Sequence, residues 1–292
     1  MKKLLLIVNQ KSGRDRQKKL DALLSKYLDT KVFTYEIAFT GYQGHAVALA
    51  KSAASSGTDI VAAVGGDGSV NEVARGLLGT DTLLAVIPKG SGNGLARALK
   101  IPMNTRHSIE IINRQKVRRI DAGFANGHLF LSNAGVGFDS LIARLFAKNT
   151  GRGLINYARL VVDSLGKYRC KHYTLQANGM QMKEKAFFVA VANGDQFGYD
   201  FKIAPLAQLD DGRLDVCIMK PLGITGLGVV AVQALTGRLK RSRYAKWIYT
   251  DHITIARDEP LHWMQVDGDA LPVENDKVTI HLQPKAISVI IP

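Results

Sequence analysis

The stretch "AAVGGDGSVNEVARGLL", residues 62–78, places three glycines around Asp67, between an apolar run and a helical pattern. Apolar residues at spacings of three and four predict an amphipathic helix, and Ser69 with Glu72 forms a capping-box pattern that starts it directly after the glycines. The N–H groups at such a helix start form an anion site suited to phosphate. Asp67 beside a phosphate requires a divalent cation or a transferable proton. The stretch therefore predicts nucleotide phosphates with Mg²⁺, and an ordinary tight turn is the alternative.

Other phosphate-binding loops are excluded by their patterns. Asn71 stands where the dinucleotide fingerprint requires glycine, the P-loop pattern occurs nowhere, and the motif set of protein kinases is absent from the sequence. A second strand, glycine loop and helix pattern, "AVIPKGSGNGLARAL", occupies residues 85–99 and offers Ser91 and Asn93 as polar donors. Two such loops on neighbouring strand ends favour a ligand site over two ordinary turns.

Strand-like and helix-like segments alternate over the first part of the chain. The strands are expected at 4–8, 31–39, 59–64 and 83–87, and the helices at 16–28, 44–55, from residue 69, and at 94–100. This order predicts a parallel sheet covered by helices on both faces, with ligands beyond the carboxyl ends of its strands. After about residue 122 the chain becomes β-rich, with helical stretches near 139–167 and 224–247. We expect an α/β domain over 1–122 and a largely antiparallel β domain over 123–292.

Composition narrows the classes of partner. The 292 residues carry a net charge of +14, which favours nucleic acid, an anionic membrane surface or polyphosphate ligands as partners. Cys170 and Cys217 are far apart and form no CxxC pattern, so a disulfide scaffold or a cysteine zinc site is not expected. The apolar run Leu4–Val8 is too short for a signal peptide, and no run has the length of a spanning helix. We expect a soluble or peripheral protein.

The segment "GRLKRSRYAKWIY", residues 237–249, combines five basic side chains with aromatic ones. Basic and aromatic residues together suit an anionic bilayer surface. They would equally suit nucleic acid, but no nucleic-acid-binding module accompanies them. A solvated helix face is the remaining alternative.

The ordered motifs of the chain resemble the diacylglycerol kinase catalytic-domain superfamily, which includes bacterial lipid kinases and sphingosine kinases. The similarity runs essentially from end to end, and the GSGN form of the second loop is more like the sphingosine-kinase version. Four positions depart from the usual pattern: Gln10 replaces a proline, Ser69 a threonine, Gly94 an aspartate and Asp269 a glutamate. The matching segments are "VNQKSG" (8–13), "FTGYQGHA" (39–46), "GGDGSVNEV" (65–73), "PKGSGNGLAR" (88–97), "NAGVGFDS" (133–140), "ANGDQFG" (192–198), "APLAQLDDGRLDV" (204–216) and "VDGD" (266–269).

The resemblance implies ATP-dependent phosphoryl transfer to a lipid hydroxyl, with the nucleotide between the two domains. Asp269 would accept the hydroxyl proton, with Asp267 as the runner-up, and a plain β-turn is the alternative for both. A structural Mg²⁺ would be held by the carbonyls of Gln208 and Arg213 and the carboxylate of Asp211, with an Asp-Gly turn as the alternative. Asp67 would be tied to a Mg²⁺ that neutralises the phosphates. The nucleotide-binding residues implied are Asn9, Thr40, Gly65, Gly66, Asp67, Gly68, Ser69, Val70, Asn71 and Ser91.

These observations lead to one expectation and two rivals. We expect a Mg-ATP-dependent kinase of diacylglycerol or a sphingoid-type lipid, cytoplasmic and peripheral at the inner membrane surface. Its residues 123–292 would form an antiparallel β-sandwich that binds the lipid, and the last strand would return to the N-terminal domain. A homodimer is left open, and no nucleic-acid partner is expected. The rivals are a kinase of a soluble acceptor, as NAD kinases share the GGDG loop, and a non-catalytic lipid or nucleotide sensor.

Overall fold

A computed structural model describes residues 1–9, 14–148 and 154–292 of the chain. The described chain divides into two compact units. Unit 1 comprises Met1–Ile120 and Lys285–Pro292, and unit 2 comprises Asp121–Pro284. None of the helices in the described ranges combines the length and the apolar character needed to cross a bilayer.

Unit 1 is built on parallel strands in the spatial order β2-β1-β3-β4. After β4 the sheet is extended by the end of the last strand, β16, where Val289 pairs in parallel with Leu84. The elements are β1 (Lys2–Asn9), α1 (Arg14–Tyr27), β2 (Phe33–Thr40), α2 (His45–Ser55), β3 (Ile60–Gly65), α3 (Asp67–Leu77), β4 (Leu83–Pro88), α4 (Gly94–Ala98) and α5 (Thr105–Arg114).

Helices cover both faces of this sheet, which explains its continuous apolar strands. Every residue of β3 is buried. Ile60 and Val64 share a core with Leu24 of α1 and Ile109 of α5, while α2 and α3 pack on each other and α3 packs on β3. Strands buried on both faces favour uninterrupted runs of apolar residues over alternation. The predicted α/β fold is confirmed.

Unit 2 contains two antiparallel sheets, ordered β12-β11-β10-β7-β14-β15 and, starting from the first part of β16, β16-β13-β8-β9. Strand β5 pairs with β16 and β6. The elements are β5 (Val117–Ala125), β6 (His128–Phe130), β7 (Asn133–Gly137), α6 (Phe138–Lys148), α7 (Leu154–Leu165), β8 (Lys171–Ala177), β9 (Met180–Ala186), β10 (Phe188–Ala192), β11 (Leu214–Met219), α8 (Ile224–Leu235), a 3-10 helix (Leu239–Arg241), β12 (Ala245–Thr250), β13 (His252–Arg257), β14 (Trp263–Val266), β15 (Asp269–Pro272) and β16 (Lys277–Ile290).

The two sheets of unit 2 face each other across one core. Val191 and Val216 from the first sheet share this core with Leu175 and Ile255 from the second. The opposite face of the first sheet packs against α6, α7 and α8 through a second core that includes Phe188. The predicted antiparallel β-sandwich is confirmed, and one of its sheets carries a layer of helices.

One helical expectation is wrong, and one helix is not predicted. The stretch expected to be helical to residue 247 stops at Leu235, because Gly237 adopts a left-handed φ of 68° just after it. Glycine in this conformation commonly ends a helix. The basic segment 237–249 is therefore a 3-10 turn followed by β12, and not a helix face. Helix α5 is the one that the sequence pattern does not predict, and its cap residue Asn104 accepts a hydrogen bond from Arg106 N.

Candidate active site

The first glycine loop joins β3 to α3 without the capping box predicted for it. Helix α3 begins at Asp67, because Gly66 in an extended conformation (φ −94°, ψ −169°) serves as its N-cap. Glu72 caps a different helix: its carboxylate accepts hydrogen bonds from Gly44 N at 3.0 Å and Ala46 N at 3.3 Å, at the start of α2. The capping-box prediction is wrong, although the helix still starts within the glycine-rich loop. Its first N–H groups have no acceptor inside the helix, which suits an anion.

The second glycine loop lies directly against the first. Gly65 and Pro88 are partners in the β3–β4 ladder, and Lys89 N donates to the Gly65 carbonyl at 2.8 Å. A Cβ built on Gly90 would stand 2.5 Å from Gly66 Cα, a distance that real Cβ atoms essentially never show. Glycine is therefore required at position 90 for the loops to approach this closely.

Asn93 shapes the second loop from inside. It adopts the left-handed conformation (φ 53°) and is buried. Its Oδ1 accepts from Gly90 N at 3.0 Å, and its Nδ2 donates to the Gly90 carbonyl at 2.8 Å. Asn93 thus uses its amide on the loop itself, whereas Ser91 lies exposed on it.

The predicted nucleotide-binding residues of unit 1 gather at the carboxyl ends of its parallel strands. Asn9 and Thr40, at the ends of β1 and β2, are register partners. Asn9 Nδ2 donates to Ser69 Oγ at 3.4 Å, and a Cβ built on Gly92 would stand 3.0 Å from Asp67 Oδ2. Ligands of open α/β sheets bind at this end of the strands.

Some residues of the predicted set have a different character. Val70 has a buried side chain, and its N–H donates to the Gly66 carbonyl at 3.1 Å, so it belongs to the helix rather than to an open surface. Gly68 is exposed and Asn71 half-buried in the next residues of α3. Residues 10–13 of the opening motif lie outside the described residues.

Asp267 and Asp269 flank the tip of the β14–β15 hairpin in unit 2 and have different surroundings. Asp267 and Gly268 both have positive φ, 46° and 91°, as a two-residue type I′ turn requires. The Asp267 carboxylate accepts hydrogen bonds from Leu131 N, Ser132 N and Asn133 N at 2.9, 2.8 and 3.1 Å. Asp269 is exposed at the first position of β15. Asp267 therefore fixes the turn, and Asp269 is accessible beside it.

A cavity of about 370 Å³ lies in unit 2 among α6, α7, α8 and the neighbouring strands. Most of its lining is apolar, and Gly268 of the Asp267–Asp269 turn is part of it. No sequence pattern predicts this cavity, because its lining comes from segments that are separated along the chain. The polar side chains in the lining are Asn133, Asp139, Tyr157, Tyr199 and Gln265.

Asp139 is the acidic residue of this lining, and it is buried. Its Oδ1 accepts a hydrogen bond from Ser140 N at 2.7 Å, whereas Oδ2 has no hydrogen-bond partner among the described residues. Burial raises the pKa of the Asp139 carboxyl to about 7, against the opposing effects of the Ser140 N–H and the Gln265 side chain. Asp139 lies inside the motif "NAGVGFDS", but the motif alone predicts no role for it.

The predicted metal loop, residues 208–213, is held by Asp121. The Asp121 carboxylate accepts from Gly212 N at 2.8 Å, and Asp121 N donates to the Leu209 carbonyl at 2.6 Å. The Asp211 carboxylate accepts from Arg213 N at 3.2 Å and pairs with the Arg213 guanidinium at 3.3 Å.

The donors of this loop are the kind that Mg²⁺ takes. Asp215 lies two residues after the loop, and its pKa is raised to about 6, first by burial and then by the negative charge of Asp211. In the described part of the chain, no three His, Cys, Asp or Glu residues are grouped as metal ligands. Gln208 and Arg213 would contribute carbonyl oxygens, and Mg²⁺ binds such oxygens together with a carboxylate and water. The residues present therefore fit the ion, with the Arg213 guanidinium as a competitor for Asp211.

Comparison with known families identifies the two parts of the chain. Residues 3–125 match the model described as the diacylglycerol kinase catalytic domain, and residues 132–291 match the YegS C-terminal NAD kinase beta sandwich-like domain. These matches define a two-domain kinase. The chain belongs to the family of diacylglycerol kinase-like and YegS-like lipid kinases, as the resemblance predicted.

Individual relatives agree with this assignment. The diacylglycerol kinase of Bacillus subtilis (strain 168) is 28% identical over 274 residues, which cover 92% of this chain and 90% of the relative. A Pseudomonas aeruginosa (strain UCBPP-PA14) protein named "Probable lipid kinase YegS-like" is 27% identical over 265 residues, covering 88% of this chain and 84% of the relative.

Solved structures share the fold. The crystal structure of a diacylglycerol kinase from Bacillus anthracis (strain Sterne) has a TM-score of 0.76 and 24% identity, and the match covers 100% of this chain and 97% of that one. Yeast NADH kinase complexed with NADH has a TM-score of 0.57 and 10% identity, covering 100% of this chain and 84% of that one. At these identities the structures are evidence for the fold alone.

Proposed function

We propose that this kinase uses Mg-ATP to phosphorylate a hydroxyl of a membrane lipid, either diacylglycerol or a sphingoid-type base. The observation that carries the proposal is the cavity of unit 2, which is mostly apolar but reaches the turn that bears Asp269. Apolar walls with a few polar groups at one end suit a molecule that has hydrocarbon chains and a reactive polar head. We assign nucleotide binding to residues 1–122 and lipid binding to 123–292.

The two glycine loops of unit 1 are the proposed phosphate site. Backbone N–H groups of residues 65–69 and the Ser91 hydroxyl would donate to phosphate oxygens, and Asn9 and Thr40 would contact the rest of the nucleotide. The contact of Gly66 with Gly90 supports a shared site, because both loops then face the same ligand. In phosphoryl transfer, such donors position the phosphate and stabilise its charge.

Asp269 is the proposed proton acceptor. It is exposed beside the cavity, whereas the Asp267 carboxylate already accepts three backbone N–H groups and is committed to the turn. A general base must come within hydrogen-bond distance of the proton that it removes. We therefore assign Asp269 to take the proton from the lipid hydroxyl as that oxygen attacks the terminal phosphate, and Asp267 to hold the turn in place.

Mg²⁺ would be held at two places. Asp67 is the proposed carboxylate ligand beside the phosphates, and the carbonyls of Gln208 and Arg213 with the Asp211 carboxylate are the proposed structural site. When bound beside the phosphates, the ion neutralises their charge. A titration of Mg²⁺ against thermal stability without nucleotide tests the structural site. We expect Mg²⁺ to raise the melting temperature of the wild type and Asp211→Asn to remove this increase. Arg213→Ala keeps the backbone carbonyl and removes the competing guanidinium, so the increase should be preserved or become larger. An increase that persists in Asp211→Asn would refute these ligands.

The proposed membrane partner is an anionic bilayer, such as the inner membrane surface reached from the cytoplasm. Helices α7 and α8 contribute residues to the cavity lining and also expose apolar residues that do not line it, among them Ile155 and Val232. In the basic segment 237–249, Lys240 Nζ lies 4.3 Å from the ring centre of Tyr249, and Arg241 is exposed. Apolar residues next to cations suit the interface of an anionic membrane.

Transfer of labelled phosphate from ATP tests the function. Wild-type protein is assayed with mixed micelles of diacylglycerol, with micelles of sphingosine, and with NAD, and each assay is repeated with Asp269→Asn. We expect transfer to a lipid and its loss in the variant. Phosphate transfer to NAD alone would establish the rival function, a kinase of a soluble acceptor. Binding of lipid or ATP without any phosphate transfer would establish a non-catalytic sensor.

A further inference from the structure

One oxygen atom in the lipid cavity has no described role. Asp139 is buried in the first turn of α6, and its Oδ2 has no hydrogen-bond partner among the described residues. A buried carboxyl oxygen that lacks a partner is destabilising, and native proteins leave few such atoms. The cost indicates that Oδ2 has a partner during function.

The surrounding backbone makes room for this oxygen. Gly135 lies in the middle of β7, and a Cβ built there would stand 2.1 Å from Asp139 Oδ2. A side chain at position 135 would therefore displace the carboxyl group. The strand lacks a side chain at the point where Oδ2 lies.

Two of the polar side chains that line the cavity, Gln265 and Asn133, bond to each other. Gln265 Nε2 donates to Asn133 Oδ1 at 2.7 Å, and Gln265 Oε1 accepts from Gly268 N at 3.0 Å. These bonds lead from the cavity to the turn that precedes Asp269, and α6 itself packs against β15, which begins at Asp269. Burial raises the pKa of Asp139, whereas the Ser140 N–H and the Gln265 side chain lower it, and no basic side chain contributes. Because Gln265 Nε2 donates to Asn133 Oδ1, Asp139 Oδ2 is left open to a donor from a ligand.

We propose that Asp139 Oδ2 accepts a hydrogen bond from the polar head of the lipid acceptor, through a hydroxyl or an ammonium group. This inference rests on the proposed lipid kinase function and names the residue that recognises the head of the substrate. The hydrocarbon chains fill the apolar part of the cavity, and the bond to Asp139 fixes the depth at which the head lies near Asp269. Asp139 is thus a binding and specificity residue and takes no proton in the reaction.

Lipid binding without ATP provides the test. A fluorescent diacylglycerol and a fluorescent sphingosine are titrated into wild-type protein, Asp139→Leu and Asp139→Asn, and KM and kcat are measured for both lipids. Asp163→Asn is the matched control, because Asp163 is an exposed acid of α7 that is paired with Arg159. Thermal unfolding and ATP affinity of each variant report on folding and on unit 1.

We expect Asp139→Leu to weaken binding and raise KM by about 10-fold or more, as loss of a hydrogen bond to a charged group does, with the control unchanged. Asp139→Asn separates the two head groups: it retains a hydroxyl ligand but loses an ammonium ligand. Unchanged binding and KM for both lipids in folded Asp139→Leu would overturn the inference while leaving the kinase function intact. A wild type that binds no lipid would instead overturn the proposed function.

Discussion

At the scale of single residues, Asp267 and Asp269 illustrate how neighbouring carboxylates are assigned to different tasks. Asp267 gathers three backbone N–H groups of residues 131–133, and Asp269 stays exposed. A carboxylate that is surrounded by donors stabilises the fold. The accessible carboxylate beside the cavity is the one that we propose takes the substrate proton.

We predict that the two asparagine variants affect different properties, one the stability and the other the catalytic rate. Asp267→Asn removes part of a charged hydrogen-bond network and should lower the free energy of unfolding by about 2 kcal/mol. Asp269→Asn should lower kcat by about 10²-fold or more with unfolding unchanged. Urea denaturation and steady-state kinetics of both variants measure these effects, and a full kcat in Asp269→Asn would refute the assignment of the base.

Asp139 makes stability depend on pH. Burial raises the pKa of its carboxyl from 3.8 to about 7, so between these values the folded state binds the proton more tightly than the unfolded state. Stability from this group is therefore greatest at low pH and is lost as pH rises to about 7, by up to roughly 4 kcal/mol. Tyr157 and Cys217, which interact electrostatically with Asp139, stay neutral throughout because burial raises the pKa of both groups.

We predict that Asp139→Asn removes this pH dependence. Relative to the wild type, its melting temperature should rise more at pH 8 than at pH 4.5, because only the wild type must ionise a buried carboxyl. Thermal unfolding across this range measures the difference. An identical pH profile in both proteins would show that Asp139 titrates normally.

At the scale of elements, the approach of α2 to α3 depends on one glycine. A Cβ built on Gly76 would stand 2.6 Å from both Ala50 Cβ and Val47 O. Because one of these atoms belongs to the backbone, the helices would have to move apart.

We predict that Gly76→Ala lowers the free energy of unfolding by about 1 to 3 kcal/mol through overpacking, despite the better helix propensity of alanine. Gly228 of α8 is the matched control, since a Cβ there meets no atom within 4 Å. Gly228→Ala should stabilise the protein by up to about 1 kcal/mol. Chemical denaturation of both variants gives the comparison, and equal effects would contradict the packing argument.

The elements that the sequence predicts correctly are those whose patterns are local. Strands such as β3 are continuous apolar runs, and glycine at positions 65 and 66 marks a loop whatever surrounds it. The capping-box prediction was wrong because the Glu72 carboxylate accepts a hydrogen bond from the start of α2, a tertiary contact that the local sequence does not show. The expected helix over 237–247 failed because a single glycine conformation ended α8.

The candidate site divides in the same way. The two glycine loops, which we propose bind phosphate, are predicted from motifs in which each residue lies near the next along the chain. The cavity is not predicted by any motif, because its lining residues come together only when unit 2 folds. They include Asp139, Tyr157, Phe188, Leu227 and Gln265. The role that we propose for Asp139 depends on a carboxyl oxygen without a hydrogen-bond partner among the described residues, a feature that cannot be predicted from the sequence.

At the scale of the whole molecule, the net charge of +14 favours anionic surfaces, and unit 2 adds apolar residues that contact water. Val232 on α8 is 61% exposed, next to helix residues that line the cavity. Met180, at the start of β9, is also 61% exposed but does not line the cavity.

We predict that Val232→Asp weakens binding to anionic phosphatidylglycerol vesicles by about 10-fold. The valine would insert its apolar surface into the bilayer, whereas the aspartate is repelled by the anionic lipids. Met180→Asp adds the same charge elsewhere and should leave binding near the wild-type value. Vesicle co-sedimentation at low and high salt measures both, and high salt should weaken the wild type as well. Equal losses in the two variants would show that charge alone governs binding.

Strand β16 also sets an order of events during synthesis. Its residues up to Pro284 belong to unit 2 and those from Lys285 to unit 1, where Val289 pairs with Leu84 of β4. The ribosome therefore makes all of unit 2 before the second partner of β4 exists, and until then the edge of β4 away from β3 is open, which favours pairing with other chains. A nascent chain therefore completes the sheet of unit 1, the proposed nucleotide-binding unit, only after unit 2 has been made.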